Sequence, residues 1–231
     1  GEDSEDTNAG AAYVFHRTGV NTWSGAEKIT STSPDAAGSF GSSVAISGDY
    51  AIIGAPDEEN TVGRYEGAVY VFHRTGTNAW GSGVQVVHPE SPESCDYFGW
   101  SVSISGDYMI VGVIYDDVFV STEGTAYIFH RTGTNAWGDW FRITATDPED
   151  GDYFGNSVSI SGDYAIVGAP YEDTGGTDAG AAYIFRRIGG NSWDGGVKIV
   201  ATYPESDNYF GYSVAISGDY AIIGAYGQDL G

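Results

Sequence analysis

The chain has 231 residues and is strongly acidic, with 32 Asp and Glu against 9 Lys and Arg and a formal net charge of −23. Nucleic-acid binding is not expected, because it relies on cationic groups that displace counterions from phosphates. The single cysteine, Cys95, excludes an intrachain disulfide, and no apolar run is long enough to span a bilayer, so membrane insertion is not expected either.

The first predicted strands, Ala11–Arg17 and Glu27–Thr30, match the third and fourth strands of a unit that recurs along the chain. In the first complete unit, strands one and two are Ser43–Ser47 and Tyr50–Ala55, joined by a tight Gly-Asp turn. Both are nearly continuous in apolar residues, as expected for strands covered on both faces. Strands three and four follow at 68–74 and 84–87, and the fourth is short and weak, like an outer edge strand.

The unit recurs four times in phase, at steps of 56 to 58 residues, with a Phe-Gly pair at Phe40, Phe98, Phe154 and Phe210. No stretch has a helical period. Repeated units of four antiparallel strands are typical of the blades of a β-propeller. The sequence therefore predicts an all-β fold and a single propeller domain over 1–231, with units 40–97, 98–153, 154–209 and 210–231, the last completed by 1–39.

In this interpretation the ring has four blades, and N- and C-terminal half-blades close the last one, because the chain begins with strands three and four and finishes with strands one and two. Such pairing protects edges that would otherwise be exposed. Two alternatives stay open. The chain can be a piece of a larger propeller, or its half-blades can pair with neighbouring molecules.

The Phe-Gly start, the Ser-Val-x-Ile-Ser-Gly-Asp core and the Gly-Ala-Pro end at Gly168–Pro170 resemble the FG-GAP repeat, as does the Gly-x-x-Tyr-[Val/Ile]-Phe that follows. The resemblance covers essentially the whole chain and is similar to the bacterial branch in its Arg-Thr-Gly and Asn-x-Trp elements. It implies an integrin-α-like propeller in an extracellular or cell-surface protein. Two units depart from it, because Ile114 and Tyr226 replace the Pro.

Most acidic residues fall in the two–three and four–one loops, which lie on the same face of a propeller. The other face is expected to carry Arg17, Arg74, Arg131, Arg186 and Arg187, with Asp49, Asp107, Asp163 and Asp219 of the one–two turns as their local partners. The family's calcium loop between strands one and two is reduced here to Ser-Gly-Asp-Tyr, so its ligands do not transfer. No cofactor is required, and Ca²⁺ is the candidate ion, since it takes six to eight oxygens that acidic loops can partly supply. The candidate ligands are Glu172, Asp173, Asp178, Asp57, Glu58 and Glu59. The alternative is a solvated acidic rim.

Two groups of residues are candidates for contact with a partner. Val118 and Phe119 lie in an unusually apolar two–three loop and suit a contact patch, unless they tuck under the blade. Trp side chains recur at one position of each unit, where they either anchor the outer strand or stack on sugars. These residues are Trp23, Trp80, Trp137 and Trp193.

No catalytic motif is present, so an enzyme is not expected. The sequence favours a non-enzymatic extracellular structural or adhesion module that makes protein–protein contacts, with self-assembly into a polymer or filament as one form. The alternative is a lectin-like propeller that binds glycans through the repeated Trp and Tyr residues. The adhesion function rests largely on analogy with the family.

Overall fold

The computed structural model describes residues 9–32, 38–59, 65–90, 95–116 and 122–229. Within these ranges the chain is all-β, and no helix that could cross a membrane is found. The strands are β1 Ala12–Val14, β2 Arg17–Gly19, β3 Thr22–Trp23, β4 Glu27–Ile29, β5 Ser43–Ser47, β6 Tyr50–Ala55, β7 Ala68–Gly76, β8 Ala79–Trp80, β9 Val84–Val87, β10 Ser101–Ser105, β11 Tyr108–Val113, β12 Thr125–His130, β13 Asp139–Ile143, β14 Ser157–Ser161, β15 Tyr164–Ala169, β16 Ala181–Gly189, β17 Ser192–Trp193, β18 Val197–Ile199, β19 Phe210–Ser217 and β20 Tyr220–Ala225.

Three antiparallel sheets follow one another along the chain, each with its strands in sequence order. The first sheet is β5-β6-β7-β9, the second β10-β11-β12-β13 and the third β14-β15-β16-β18. Their register repeats, because Tyr50 pairs with His73 and Tyr108 with His130 at the same place in neighbouring sheets. The predicted order of the four strands within a unit is therefore confirmed.

Strand three is longer than predicted in the first and third sheets. The sequence placed its end at Arg74, whereas β7 continues to Gly76 and pairs with β8 after a register shift. The same small hairpin forms between β16 and β17 and between β2 and β3. A register shift of this kind bends the strand and increases its twist.

The Phe-Gly pairs form the joints between consecutive sheets. Phe98 and Phe154 are fully buried, and they make parallel bridges to Gly67 and Gly124 of the preceding unit. Val102 and Ile104 on β10 pack in one core cluster with Ile52, Val69 and Val71 of the first sheet. The same arrangement recurs one sheet further on. Each strand one therefore covers the face of the preceding sheet.

The terminal segments form two separate pairs of strands in the described part of the chain. β1 pairs with β4, which we call the N-terminal pair, and β19 pairs with β20, which we call the C-terminal hairpin. The strand types agree with the prediction, because β1 and β4 match strands three and four, and β19 and β20 match strands one and two. No pairing between β1 and β20 is present among the described residues, so the predicted composite sheet is not formed here.

Candidate protein-binding face

A row of tyrosine rings crosses the second and third sheets and reaches the C-terminal hairpin, and we call it the tyrosine ladder. Neighbouring ring centroids are 5.3, 5.2, 5.0, 5.5 and 4.9 Å apart. Most contacts are tilted or edge-on, which the quadrupoles of aromatic rings favour. The ladder runs through Tyr97, Tyr115, Tyr153, Tyr171, Tyr209 and Tyr226.

Half of the ladder residues have an unusual backbone conformation. Tyr97, Tyr153 and Tyr209, each directly before a Phe-Gly pair, have positive φ angles of 60°, 53° and 54°. A non-glycine residue in this region carries strain on the order of 1–3 kcal/mol, which persists only where the surroundings enforce it. Here the next residue enforces it, because Phe154 is buried in the joint between sheets while Tyr153 is partly exposed. The sharp turn holds each ring on the surface in a fixed direction.

Carboxylates surround the ladder. The hydroxyl of Tyr209 lies 3.3 Å from Oδ1 of Asp207, and partial burial together with that carboxylate raises the pKa of Tyr209. Partial burial also raises the pKa of Tyr153, with Asp150 among the nearby charges that add to it. Tyr153 and Tyr209 are therefore neutral at physiological pH and lie in a negative field. Such a surface attracts cations through both the carboxylates and the faces of the rings.

Buried tyrosines connect consecutive sheets through carboxylates and cations. In the third sheet the hydroxyl of Tyr183 donates to Asp147 at 2.9 Å, and Lys198 Nζ lies 2.7 Å from Asp147 and 2.6 Å from Glu172. Burial, reinforced by the hydrogen bond to Asp147, raises the pKa of Tyr183, so its hydroxyl stays a donor. We call this arrangement a clamp, because Asp147 belongs to the loop that follows the second sheet.

The second sheet has an equivalent clamp built from different residues. The Tyr127 hydroxyl lies 2.9 Å from a carboxylate oxygen of Glu90 and 2.9 Å from one of Asp116, and Arg142 contacts Glu90 at 2.8 Å. The first sheet keeps the tyrosine and one carboxylate, since Tyr70 donates to Glu58 at 2.9 Å, but Gln85 stands at the position of the cation. There the Oε2 atom of Glu58 is buried and has no hydrogen-bond partner among the described residues.

The predicted calcium ligands are placed in two loops, and five of the six have a carboxylate oxygen with a protein partner. Glu172 contacts Lys198 and Thr174, Asp173 accepts from the backbone of Asp178, and Asp57 accepts from Ser39. Glu58 and Glu59 accept from Tyr70 and Tyr65. Across the described ranges, no group of three or more His, Cys, Asp or Glu is arranged to hold a metal ion. Calcium binding stays a prediction.

The predicted partner-contact residues differ in how far they are exposed to solvent. Trp137 and Trp193 are only 4% exposed and pack edge-on against Tyr50 and Tyr108, as expected for anchors of the outer strands. Trp80 is partly buried, whereas Trp23 on the N-terminal pair's hairpin is 60% exposed. Val118 and Phe119 lie outside the described residues.

On the opposite face, arginines are neutralised locally. Arg74, Arg131 and Arg187 pair with Asp49, Asp107 and Asp163 of the one–two turns. Two of them also lie over aromatic rings, with Arg131 at 4.6 Å from the centroid of Tyr50 and Arg187 at 4.7 Å from that of Tyr108. The predicted pairing of arginine with turn aspartate is thus present in all three sheets. This face offers less uncompensated charge than the tyrosine-ladder face.

The sequence predicted the acidic loops but not the ladder or the clamps. The signal for the ladder was present, because a tyrosine precedes three of the four Phe-Gly pairs, at Tyr97, Tyr153 and Tyr209. The clamps had a weaker signal. Their acids, Glu90 and Asp147, lie at slightly different distances from the next Phe-Gly pair, so they do not align between repeats.

Comparison with known families identifies the same four repeats as the strand pattern. A family model described as FG-GAP repeat matches residues 23–72, 83–129, 137–185 and 193–231. Each match begins near the fourth strand of one unit. It then continues through strands one to three of the next sheet or, for the last match, through the C-terminal hairpin. The sequence repeat is therefore offset by one strand from the sheets. A search of curated proteins finds no match.

Proposed function

Because the chain belongs to the FG-GAP repeat family, we propose that it is a non-enzymatic, extracellular adhesion or structural module that binds a protein partner through the tyrosine-ladder face. Repeats of this family occur in integrin-like extracellular protein-binding modules, and the family is generally non-enzymatic. The three sheets support a propeller as the scaffold. The observation that carries the proposal is the tyrosine ladder, a fixed row of aromatic rings within a field of carboxylates.

The chemistry of this face indicates a partner with lysine or arginine side chains. The protein carries a net charge of −23, so a basic segment is drawn to it at long range. At contact, guanidinium and ammonium groups bind aromatic faces, and each such contact is worth about 0.5–2 kcal/mol.

Binding to synthetic peptides tests the proposal directly. An arginine- and lysine-rich peptide and a neutral peptide of the same length are titrated into the protein by calorimetry. We expect the basic peptide to bind with an affinity that falls as salt rises, and the neutral one not to bind. The double variant Tyr153→Ala/Tyr171→Ala removes two central rings and is expected to weaken binding about tenfold or more, since 1.4 kcal/mol corresponds to tenfold.

Tyr203→Ala is the matched control, because Tyr203 is 74% exposed and is not part of the ladder. It is expected to bind as the wild type does. Equal binding by the ladder variant and the control contradicts the proposed site. Binding of neutral glycans that is lost in Trp23→Ala supports the lectin alternative instead, since Trp23 is the recurrent Trp with the most exposed ring.

A further inference from the structure

A groove lies between β9, the outer strand of the first sheet, and the segment 135–140 of the second sheet. Its volume is about 400 Å³, which is within the range of small-molecule sites in proteins. Aliphatic side chains of β9 line one side, and Trp137 and Trp140 line the other. None of the described residues that line it is Asp, Glu, Lys or Arg. We call this uncharged, aromatic site the tryptophan groove.

Trp140 is a large side chain at a position where the other two sheets have glycine. Gly83 and Gly196 occupy this position, and a Cβ atom there would lie 2.6 and 2.5 Å from the phenylalanine ring of strand three. In the second sheet Trp140 packs edge-on against Tyr127, with ring centroids 5.9 Å apart, and it stays 38% exposed. The protein therefore fixes this indole ring while leaving part of it available to a ligand.

Two polar atoms at the groove have no hydrogen-bond partner among the described residues. They are Nε1 of Trp137 and Oδ1 of Asn135, and both atoms are buried. The Trp137 side chain as a whole is only 4% exposed. Each buried polar atom left unpaired costs about 1–3 kcal/mol. Because both residues line the groove, a group bound there is in position to pair with them.

The third sheet shows how the same two residue types are satisfied when this position is closed. Nε1 of Trp193 donates to Oδ1 of Asn191 at 3.3 Å. Nδ2 of Asn191 donates in turn to the backbone carbonyls of Ile128 and Asp139, at 3.3 and 3.0 Å, in the preceding sheet. The asparagine side chain thus spans the joint and uses the tryptophan N–H. The second sheet has the same pair of residues without these bonds.

The difference begins in the backbone of the turn before the tryptophan. In the third unit the positive φ angle falls on Gly190, at 53°, and Asn191 follows it with a negative one. In the second unit Thr134 replaces that glycine, and the positive φ of 58° falls on Asn135 instead. A β-branched residue such as threonine rarely adopts a positive φ. Thr134 therefore favours the turn that leaves the groove open.

We propose that the tryptophan groove binds a neutral saccharide, with a sugar ring against Trp140 and a hydroxyl group paired with Trp137 and Asn135. A hydroxyl both accepts and donates hydrogen bonds, so one group serves the indole N–H and the amide oxygen together. The C–H face of a sugar ring suits an aromatic platform. The uncharged lining disfavours phosphates, carboxylates and basic peptides, which need an opposite charge for their own burial.

This site differs from the other candidate sites in the protein. Its platform, Trp140, is not one of the tryptophans that recur in every unit. The groove also shares no residue with the tyrosine ladder. The ladder variant Tyr153→Ala/Tyr171→Ala is expected to bind saccharide as the wild type does, and Trp140→Ala to bind the basic peptide normally. Either proposal can therefore fail while the other stands.

A glycan array tests the proposal. The full chain is applied to neutral oligosaccharides built from glucose, galactose, mannose and N-acetylated hexosamines, and the sugars that bind are titrated by calorimetry. We expect Trp140→Ala to weaken binding about tenfold or more. Trp100→Ala is the matched control, because Trp100 is similarly exposed, at 41%, and lies outside the groove. It is expected to bind as the wild type does.

Thr134→Gly is a second variant that keeps every residue of the groove. It restores the glycine of the third unit, so Asn135 is expected to close the groove as Asn191 does and binding to fall by a similar factor. Equal binding by Trp140→Ala, Thr134→Gly and Trp100→Ala overturns the proposed site. No binding to the array, and none in titrations at millimolar sugar, also overturns it, and a buried water is then the partner of Trp137 and Asn135.

Discussion

The hydroxyl of Tyr183 in the third sheet donates a hydrogen bond of 2.9 Å to Asp147, which lies in the loop leaving the second sheet. The same carboxylate accepts from Lys198, so one acid joins two residues of the next sheet. Lys198 also contacts Glu172, which directly follows Tyr171 of the tyrosine ladder in the sequence. The clamp and the proposed binding face are therefore built from neighbouring residues.

We expect Lys198→Met to destabilise the protein more than Tyr183→Phe. The tyrosine variant loses a hydrogen bond to a charged group, worth about 1.5–3 kcal/mol. The lysine variant leaves the buried Glu172 without its cation and is expected to cost about 3–5 kcal/mol. Urea denaturation measures both. Tyr203→Phe, at an exposed position, is the control and is expected to change stability little. A Lys198→Met loss no larger than that of the control contradicts the clamp.

Asp152 provides a pH-dependent test. It is buried, and this burial raises its pKa from 3.8 to about 7. The nearby carboxylate of Glu172 adds to the increase, whereas a hydrogen bond from the Glu149 amide opposes it. Between these values the folded state binds a proton that the unfolded chain has lost, so Asp152 makes stability fall as pH rises through this range. The last repeat carries Asn208 at the same position, also buried.

We therefore expect Asp152→Asn to be more stable than the wild type at pH 8, by about 1–3 kcal/mol, and to match it near pH 4. Thermal or urea unfolding across this pH range measures the difference. Asp229→Asn, at an exposed position, controls for the loss of one negative charge and is expected to show no such pH-dependent gain. An Asp152→Asn effect that is constant with pH argues against the raised pKa.

Gly168 lies where two sheets approach most closely. A Cβ atom at this position would lie 1.9 Å from the carbonyl oxygen of Gly211, a backbone atom in the next strand one. Gly168→Ala is therefore expected to cost about 3 kcal/mol or more, because the joint must open. Gly162→Ala is the matched control. It lies in a turn at φ 58° with no atom near its Cβ position, so only the backbone term of about 1–2 kcal/mol applies. Similar costs for the two variants contradict the steric interpretation of the glycine.

The calcium proposal makes its own prediction. Burial and the carboxylates of Asp173 and Asp207 raise the pKa of Asp178, so a divalent cation in this loop would relieve repulsion. If calcium binds there, millimolar calcium raises the melting temperature and Asp178→Asn removes the increase, as for weak extracellular sites. A melting curve that is the same in calcium and in chelator removes the proposal.

The sequence by itself determined the four main strands of each unit, their order and the apolar residues that become core. Each repeat has the same local pattern, and the two continuous apolar strands must be covered on both faces. Ile52, Ile110 and Ile166 are accordingly fully buried. The acidic loops were also predictable, since strand polarity alone places them on one face.

The tertiary structure decided the rest. The clamp of Tyr183, Asp147 and Lys198 joins residues from two units, and the acid position shifts between repeats, so alignment of the repeats does not reveal it. The tyrosine ladder arises because one ring per unit precedes Phe-Gly and another follows strand two, and only the packing of adjacent sheets brings them within about 5 Å. Whether the half-blades meet depends on the angle at each joint. That angle is set by side-chain packing between sheets, which a repeated strand pattern leaves undetermined.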